Sequence, residues 1–156
     1  MPTSPKTHRP KVLAISSGGG HWIQLLRLRP AFEGAEVHFA CSDPGAAEMV
    51  GPAPFSSFPD ANKDQPLKLL FCAFAVLRIL LRTRPDAIVT TGAAGGYLAI
   101  ALGRLFGIRG MFVDSIANAH ELSISARLAL RITDKVLTQW PGVADATPAA
   151  FHGRVL

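Results

Sequence analysis

The order of extended and helical segments predicts an α/β fold, a Rossmann-like doubly wound parallel sheet with helices on both faces. Three observations carry this. Short runs rich in Val, Ile and Phe alternate with segments of helical periodicity. Two of the runs end directly in glycine turns, Gly18–Gly20 and Gly92–Gly96. Of the 156 residues, 49% are hydrophobic and only 17% charged, which suits one well-buried domain and excludes a disordered chain.

The opening stretch, MPTSPKTHRP, has three prolines and no apolar run, so residues 1–10 read as a loose, disordered tail and not as a secretory signal. Residues 11–156 make the single domain. Lys11–Ile15 has the content of a buried strand, Ser16–Gly20 cannot continue it, and from about His21 to near Pro30 apolar residues return at helical spacing. Glu36–Cys41 is a second strand, closed by Ser42-Asp43-Pro44-Gly45. Residues 52–64, with Pro52, Pro54 and Pro59, read as a long loop holding one short strand around Phe55. Pro66–Arg84 is a helix, with proline at its first position and Pro85 stopping it. Asp86–Thr91 is a strand, Gly92–Gly96 a turn, and Tyr97–Phe106 a helix ended by Gly107. Gly110–Asp114 is the next strand and Ser115–Leu122 a polar loop. Ser123 caps a helix to about Thr133, Lys135–Gln139 is a last strand, and Trp140-Pro141-Gly142 turns the chain.

In such a sheet ligands bind beyond the carboxyl ends of the strands, near the switch point, where both glycine turns fall. Glycine lets the backbone bring its N–H groups close to a ligand, and the following helix aims its positive end at the same space, so each turn suits phosphate. A structural role, tight packing of helix on sheet, is the ordinary alternative for any one turn. The 16 Lys and Arg against 11 Asp and Glu give a formal charge of +5, which favours an anionic partner. Nucleic acid is not expected, because the cations are spread out and most Phe residues sit in apolar runs. Cys41 and Cys72 fall in a strand and an apolar helix, as unpaired thiols in a reducing cytosol do. The helix over 66–84 is too charged to cross a bilayer. Its cations Lys68, Arg78 and Arg82 fall within an arc of about 80°, and apolar residues cover the rest. Leu69, Leu70, Phe74, Leu77 and Leu81, with Arg78 and Arg82, therefore suit an anionic membrane interface, burial against a partner being the alternative.

The residues Ser17-Gly18-Gly19-Gly20-His21 with Gln24-Leu25, Thr91-Gly92-Ala-Ala-Gly-Gly96, Val113-Asp114-Ser115, Leu122–Arg131 and Thr138-Gln139-Trp140-Pro141 resemble the N-terminal half-enzyme of split glycosyltransferases. These are the membrane-anchoring subunit of the UDP-N-acetylglucosamine transferase of asparagine-linked glycosylation and its bacterial exopolysaccharide counterparts of the PssD type. The likeness runs from about Lys11 to Leu156. More distantly, the glycine turns resemble those of the single-chain enzyme that adds N-acetylglucosamine to the lipid-linked peptidoglycan precursor. The resemblance implies the N-terminal half of a GT-B fold. One half takes a polyprenyl-diphosphate-linked sugar acceptor; a partner subunit, the C-terminal half, binds the UDP-sugar donor. It implies no cofactor bound by this chain, inactivity alone, and work at the cytoplasmic face of a membrane as a peripheral or monotopic subunit. A two-domain enzyme of this kind needs about twice the length of a domain of ~100–200 residues. Eukaryotic members carry an N-terminal anchor, so attachment here is expected through the 67–81 helix.

Within that picture His21 is the candidate base, since imidazole titrates near neutrality and the turn holds it at the cleft; orienting the turn by a backbone hydrogen bond is its structural alternative. Asp114 is the alternative base. Ser17, Gly18, Gly19, Gly20, Gly92, Gly95 and Gly96 are the candidate diphosphate cradle, and Ser115 and Asn118 candidate contacts to the acceptor sugar, with capping of the next helix as the competing role. The remaining histidines lack metal-ligand spacing, so no metal is expected. Two rival readings remain. One is an NAD(P)-binding oxidoreductase with Asp43 on an adenosine ribose, although Ile23 stands where the third fingerprint glycine belongs. The other is a non-catalytic membrane adaptor for a glycosyltransferase.

Overall fold

Strand β1 (Lys11–Ser16) lies inside a seven-stranded sheet, all of whose pairings are parallel, in the computed structural model, which describes residues 8–155. The order is β3-β2-β1-β4-β5-β6-β7, with β2 at Glu36–Cys41, β3 at Phe55–Ser57, β4 at Ala87–Thr90, β5 at Arg109–Val113, β6 at Val136–Thr138 and β7 at Ala150–Phe151. β1 pairs with β2 on one side (Leu13 opposite His38) and with β4 on the other (Leu13 opposite Ile88), so the switch point lies between β1 and β4. Residues 8–10 of the expected tail are exposed and without regular structure, and the rest of that tail, like Leu156, lies outside the described residues.

Successive β1 side chains point to opposite faces and build two cores. Leu13 and Ile15 join Ile88, Phe112 and Val136 under helices α2 (Pro66–Thr83), α3 (Ala93–Leu105) and α4 (Ile124–Ala129). Ala14 joins Phe39 and Cys41 under α1 (Gly20–Arg27), with Trp22 and Leu25, and under a 3-10 turn over Pro44–Met49. Trp22 meets Phe39 and Phe55 edge to face, with centroids 6.0 and 6.1 Å apart. Cys41 and Cys72 are both buried and unpaired.

The chain departs from expectation at several points. α3 begins at Ala93, so Gly95 and Gly96 lie inside it and not in the turn before it. The reason is tertiary: a Cβ on Gly96 would meet Thr90, and one on Gly95 would meet the Phe58 ring, 2.8 Å from Cζ. α4 stops at Ala129, although Ser123 does cap it, its Oγ accepting from the Ala126 N–H at 3.0 Å. Residues 141–146 form a further helix, α5 (Pro141–Ala146), with Pro141 in its first turn, where the missing N–H costs nothing. β7 follows it as the edge strand.

α2 shows its burial directly. Cys72, Val76, Ile79 and Leu80 face the core, whereas Leu67 (72% exposed), Leu70, Phe71 (64%), Phe74 and Leu81 face outward. Arg78 and Arg82 are exposed, and Leu69 and Leu77 half-buried. No helix among the described residues is long and apolar enough to cross a membrane.

Candidate functional site

The two glycine corners leave β1 and β4, the neighbours at the switch point, and are tied together there. Gly19 (φ 69°) and Gly92 (φ 133°) take left-handed backbone that other residues adopt only with strain, and each precedes the first residue of its helix. Ala93 shares the positive φ, at 65°, a local strain of about 1 kcal/mol beside the crevice. The Gly18 N–H donates to Ser42 Oγ at 3.1 Å, tying the first corner to the end of β2, while the N–H groups opening α1 have no carbonyl of their own helix to bond. A Cβ on Gly19 or Gly20 would meet nothing within 4 Å. This corner is open to a ligand in a way that the buried Gly95 and Gly96 are not.

His21 crosses the gap. Its Nδ1 lies 2.9 Å from the Thr91 carbonyl, and Thr91 Oγ1 donates back to the His21 carbonyl at 2.6 Å. A carbonyl only accepts, so Nδ1 carries the proton and Nε2 is left as the basic nitrogen. The ring lies where a Cβ on Gly92 would be, 2.8 Å from Cε1, which gives Gly92 a second reason to be glycine. The backbone bond weighed above as the alternative role of His21 is thus present, and it leaves Nε2 free for proton transfer. Thr91 opens the second glycine motif, but nothing local in the sequence marks its bond to His21.

Asp114 is 2% exposed, and both its oxygens are engaged: Oδ1 accepts from Asn118 Nδ2 at 3.0 Å and Oδ2 from the Ser123 N–H at 2.9 Å. It thereby folds the loop between β5 and α4. Ser115 Oγ accepts from Gln24 Nε2 at 3.2 Å and from the Ala117 N–H at 3.2 Å. The crevice therefore brings together Ser17–His21, Thr91 and Gly92, with Ser115 joined through Gln24. Asp114 and Asn118 pair with each other, and the α2 residues form a surface of their own. Asp43, the ribose candidate of the oxidoreductase reading, caps its own turn, Oδ1 accepting from the Gly45 N–H at 2.9 Å. Arg127 pairs with Glu121 at 2.8 Å on the surface. No group of three His, Cys, Asp or Glu able to hold a metal ion occurs among the described residues.

A groove of about 1320 Å³ lies elsewhere, between the carboxyl half of α2 and the outer strands β2 and β3. In it His38 Nε2 sits 2.8 Å from Ser56 Oγ, and burial, with Arg82 nearby, lowers the His38 pKa.

The sheet order and the paired corners define an α/β domain of the kind that forms the N-terminal half of GT-B enzymes. Acinetobacter baumannii MurG superposes with a TM-score of 0.73 at 16% identity, over 91% of this chain and 45% of that one. A UDP-N-acetylglucosamine 2-epimerase does so at 0.67 and 10%, over 88% and 44%. The chain thus spans under half the length of these solved structures, and at such identities the likeness is one of fold. In sequence the chain is ALG14-like. It is 28% identical to the UDP-N-acetylglucosamine transferase subunit ALG14 of Yarrowia lipolytica, over 96% of this chain and 82% of that protein. No protein-family model matches the chain.

Proposed function

We propose that this chain is the acceptor-binding subunit of a two-component inverting glycosyltransferase, working on a polyprenyl-diphosphate-linked sugar and needing a partner subunit that carries the UDP-sugar. The likeness to a UDP-N-acetylglucosamine transferase subunit supports a transferase complex with a catalytic partner. The observation that carries the reading is the His21–Thr91 tie, which holds an imidazole with a free Nε2 over two phosphate-suited corners at the switch point.

In this reading the N–H groups of Gly19, Gly20 and His21 receive the acceptor diphosphate, with Ser17, Gly18 and the second corner at Gly92 beside it. His21 Nε2 takes the proton from the acceptor hydroxyl as that oxygen bonds to the anomeric carbon of the donor. The nucleoside diphosphate departs from the opposite face with the bonding electron pair, which inverts the centre. The base role goes to His21 and not to Asp114, whose oxygens already serve Asn118 and Ser123. Ser115 and Asn118 stand on the loop that would meet the acceptor sugar. The outward face of α2 (Leu70, Phe74 and Leu81 with Leu69 and Leu77 at its flanks, and Arg78 and Arg82) would rest on an anionic membrane and bring the crevice to its lipid.

Gly20→Ala tests the reading, because the added methyl meets nothing in the protein and the backbone there is helical. With geranylgeranyl diphosphate in anionic vesicles as probe, wild type is expected to bind and the variant to bind about tenfold or more weakly at unchanged Tm, the methyl standing where the diphosphate approaches. Equal binding by the two removes the cradle. His21→Ala is expected to retain the probe and partner assembly while abolishing turnover.

A further inference from the structure

Gln24 and Gln139, 6% and 1% exposed, are amides buried against each other at the carboxyl edge of the sheet. Gln139 Nε2 donates to Gln24 Oε1 at 2.6 Å and to the Asp114 carbonyl at 3.0 Å. Gln24 Oε1 also accepts from the Ile116 N–H at 3.1 Å, and Gln24 Nε2 donates to Ser115 Oγ. Both amides are therefore locked in one orientation, since a flip would set donor against donor. The remaining oxygen, Gln139 Oε1, accepts from the Val155 N–H at 2.7 Å. Beside it Arg154 Nε donates to the Gln139 carbonyl at 3.2 Å, and the Arg154 guanidinium lies 4.4 Å from the Trp140 ring centre. Trp140 Nε1 in turn donates to the Ile116 carbonyl at 2.7 Å.

One continuous set of bonds thus runs from Arg154–Val155 through Gln139 to Gln24. Gln24 lies three residues beyond His21, on the same side of α1. That helix has eight residues, too few to hold its own place, so its attachments decide where it stands. His21 fixes it toward β4; Gln24 fixes it toward the ends of β5 and β6.

We propose that Gln24 and Gln139 are positioning residues, relaying the seating of the Arg154–Val155 segment to α1 and so setting where the His21 imidazole stands. Its bearing on catalysis rests on the reading of His21 as the base, but the relay itself is tested without turnover. In the full chain labelled with 15N-histidine, the His21 signals are identified by their loss in His21→Asn. Wild type should show His21 as the Nδ1–H tautomer, held by the Thr91 carbonyl. Gln24→Leu should move it toward a mixture of tautomers. Gln24→Glu should keep the wild-type pattern, because its carboxylate accepts from Ile116 and Gln139 and the Ser115 hydroxyl turns to donate. A chain stopped after Gly153 should shift in the same direction as Gln24→Leu. An unchanged His21 pattern in folded Gln24→Leu overturns the relay; should that variant fail to fold, Gln139→Leu and the shortened chain decide by the same criterion. In a reconstituted transferase, Gln24→Leu should lower kcat about tenfold with KM for the nucleotide sugar within about twofold, and Gln24→Glu should restore it. Lack of turnover by wild type would count against the transferase reading alone, since the tautomer pattern is independent of it.

Discussion

Gly96→Ala puts a methyl group onto the side chain of Thr90, with Thr90 Cβ 2.8 Å and Cγ2 3.1 Å from the new carbon. Neither side can yield easily: Thr90 is fully buried in β4, and Gly96 is packed in the second turn of α3. Overpacking of this kind costs roughly 1–3 kcal/mol. If Thr90 rotates to make room, its Oγ1 leaves the Gly92 N–H that it now accepts at 3.2 Å, a further loss of about 1 kcal/mol. The combined destabilisation is about 2–4 kcal/mol, which in a domain of this size lowers Tm by roughly 5–15 °C. Thermal unfolding followed by circular dichroism measures it, with Gly142→Ala as control, since a methyl there meets nothing within 4 Å. Thr90→Ala placed on top of Gly96→Ala should recover part of the loss by vacating the contested space. A Gly96→Ala Tm within about 1 °C of wild type would refute the packing argument for this glycine and return it to the set available for ligand.

Cys72, whose thiol burial and Asp60 push up to about 11, and Cys41, raised chiefly by burial, should resist thiol reagents at pH 8 until the chain is unfolded in urea. His38 has a folded pKa below its ordinary 6.5, so the unfolded chain binds its proton first as pH falls. Its penalty is absent above about pH 6.5 and grows as pH drops toward the folded value, and His38→Gln should flatten that part of the stability profile in urea titrations. Asp114→Asn places an amide N–H₂ against one of two donors in a buried site and should cost about 1–3 kcal/mol, read as a lower urea midpoint at constant slope. Phe71→Glu with Phe74→Glu should leave Tm nearly unchanged, since both rings are exposed, and should abolish sedimentation with anionic vesicles.

The alternation of strands and helices was legible because β1 and its neighbours bury both faces and so read as short apolar runs, each ended by turn residues. The first corner was legible for the same reason: glycines after a strand and before a helix have few other uses. The second was legible only to Gly92. Gly95 and Gly96 look like more of the turn, yet they are glycine because Phe58 and Thr90 need their space, a tertiary demand with no local trace. Pro141 carried the start of α5, and was read as a turn because the helix behind it has only six residues. Thr91, Gln24 and Gln139 stand in the motifs, but their pairings were invisible for a plainer reason: Thr91 stands 70 residues from His21, and Gln139 115 residues from Gln24.

The reciprocal pair of bonds between His21 and Thr91 fastens one wall of the crevice in a different way from the other. Where β1 and β4 meet, backbone and imidazole are clasped from both directions and move as one piece. Across from them the stretch from Ser115 to Leu122 is fastened by the Asp114 carboxylate, which holds Asn118 and Ser123, and by Gln24 and Trp140, which hold Ser115 and Ile116. A molecule entering the crevice would thus meet both banks already braced, so that little of its binding energy would go into ordering them.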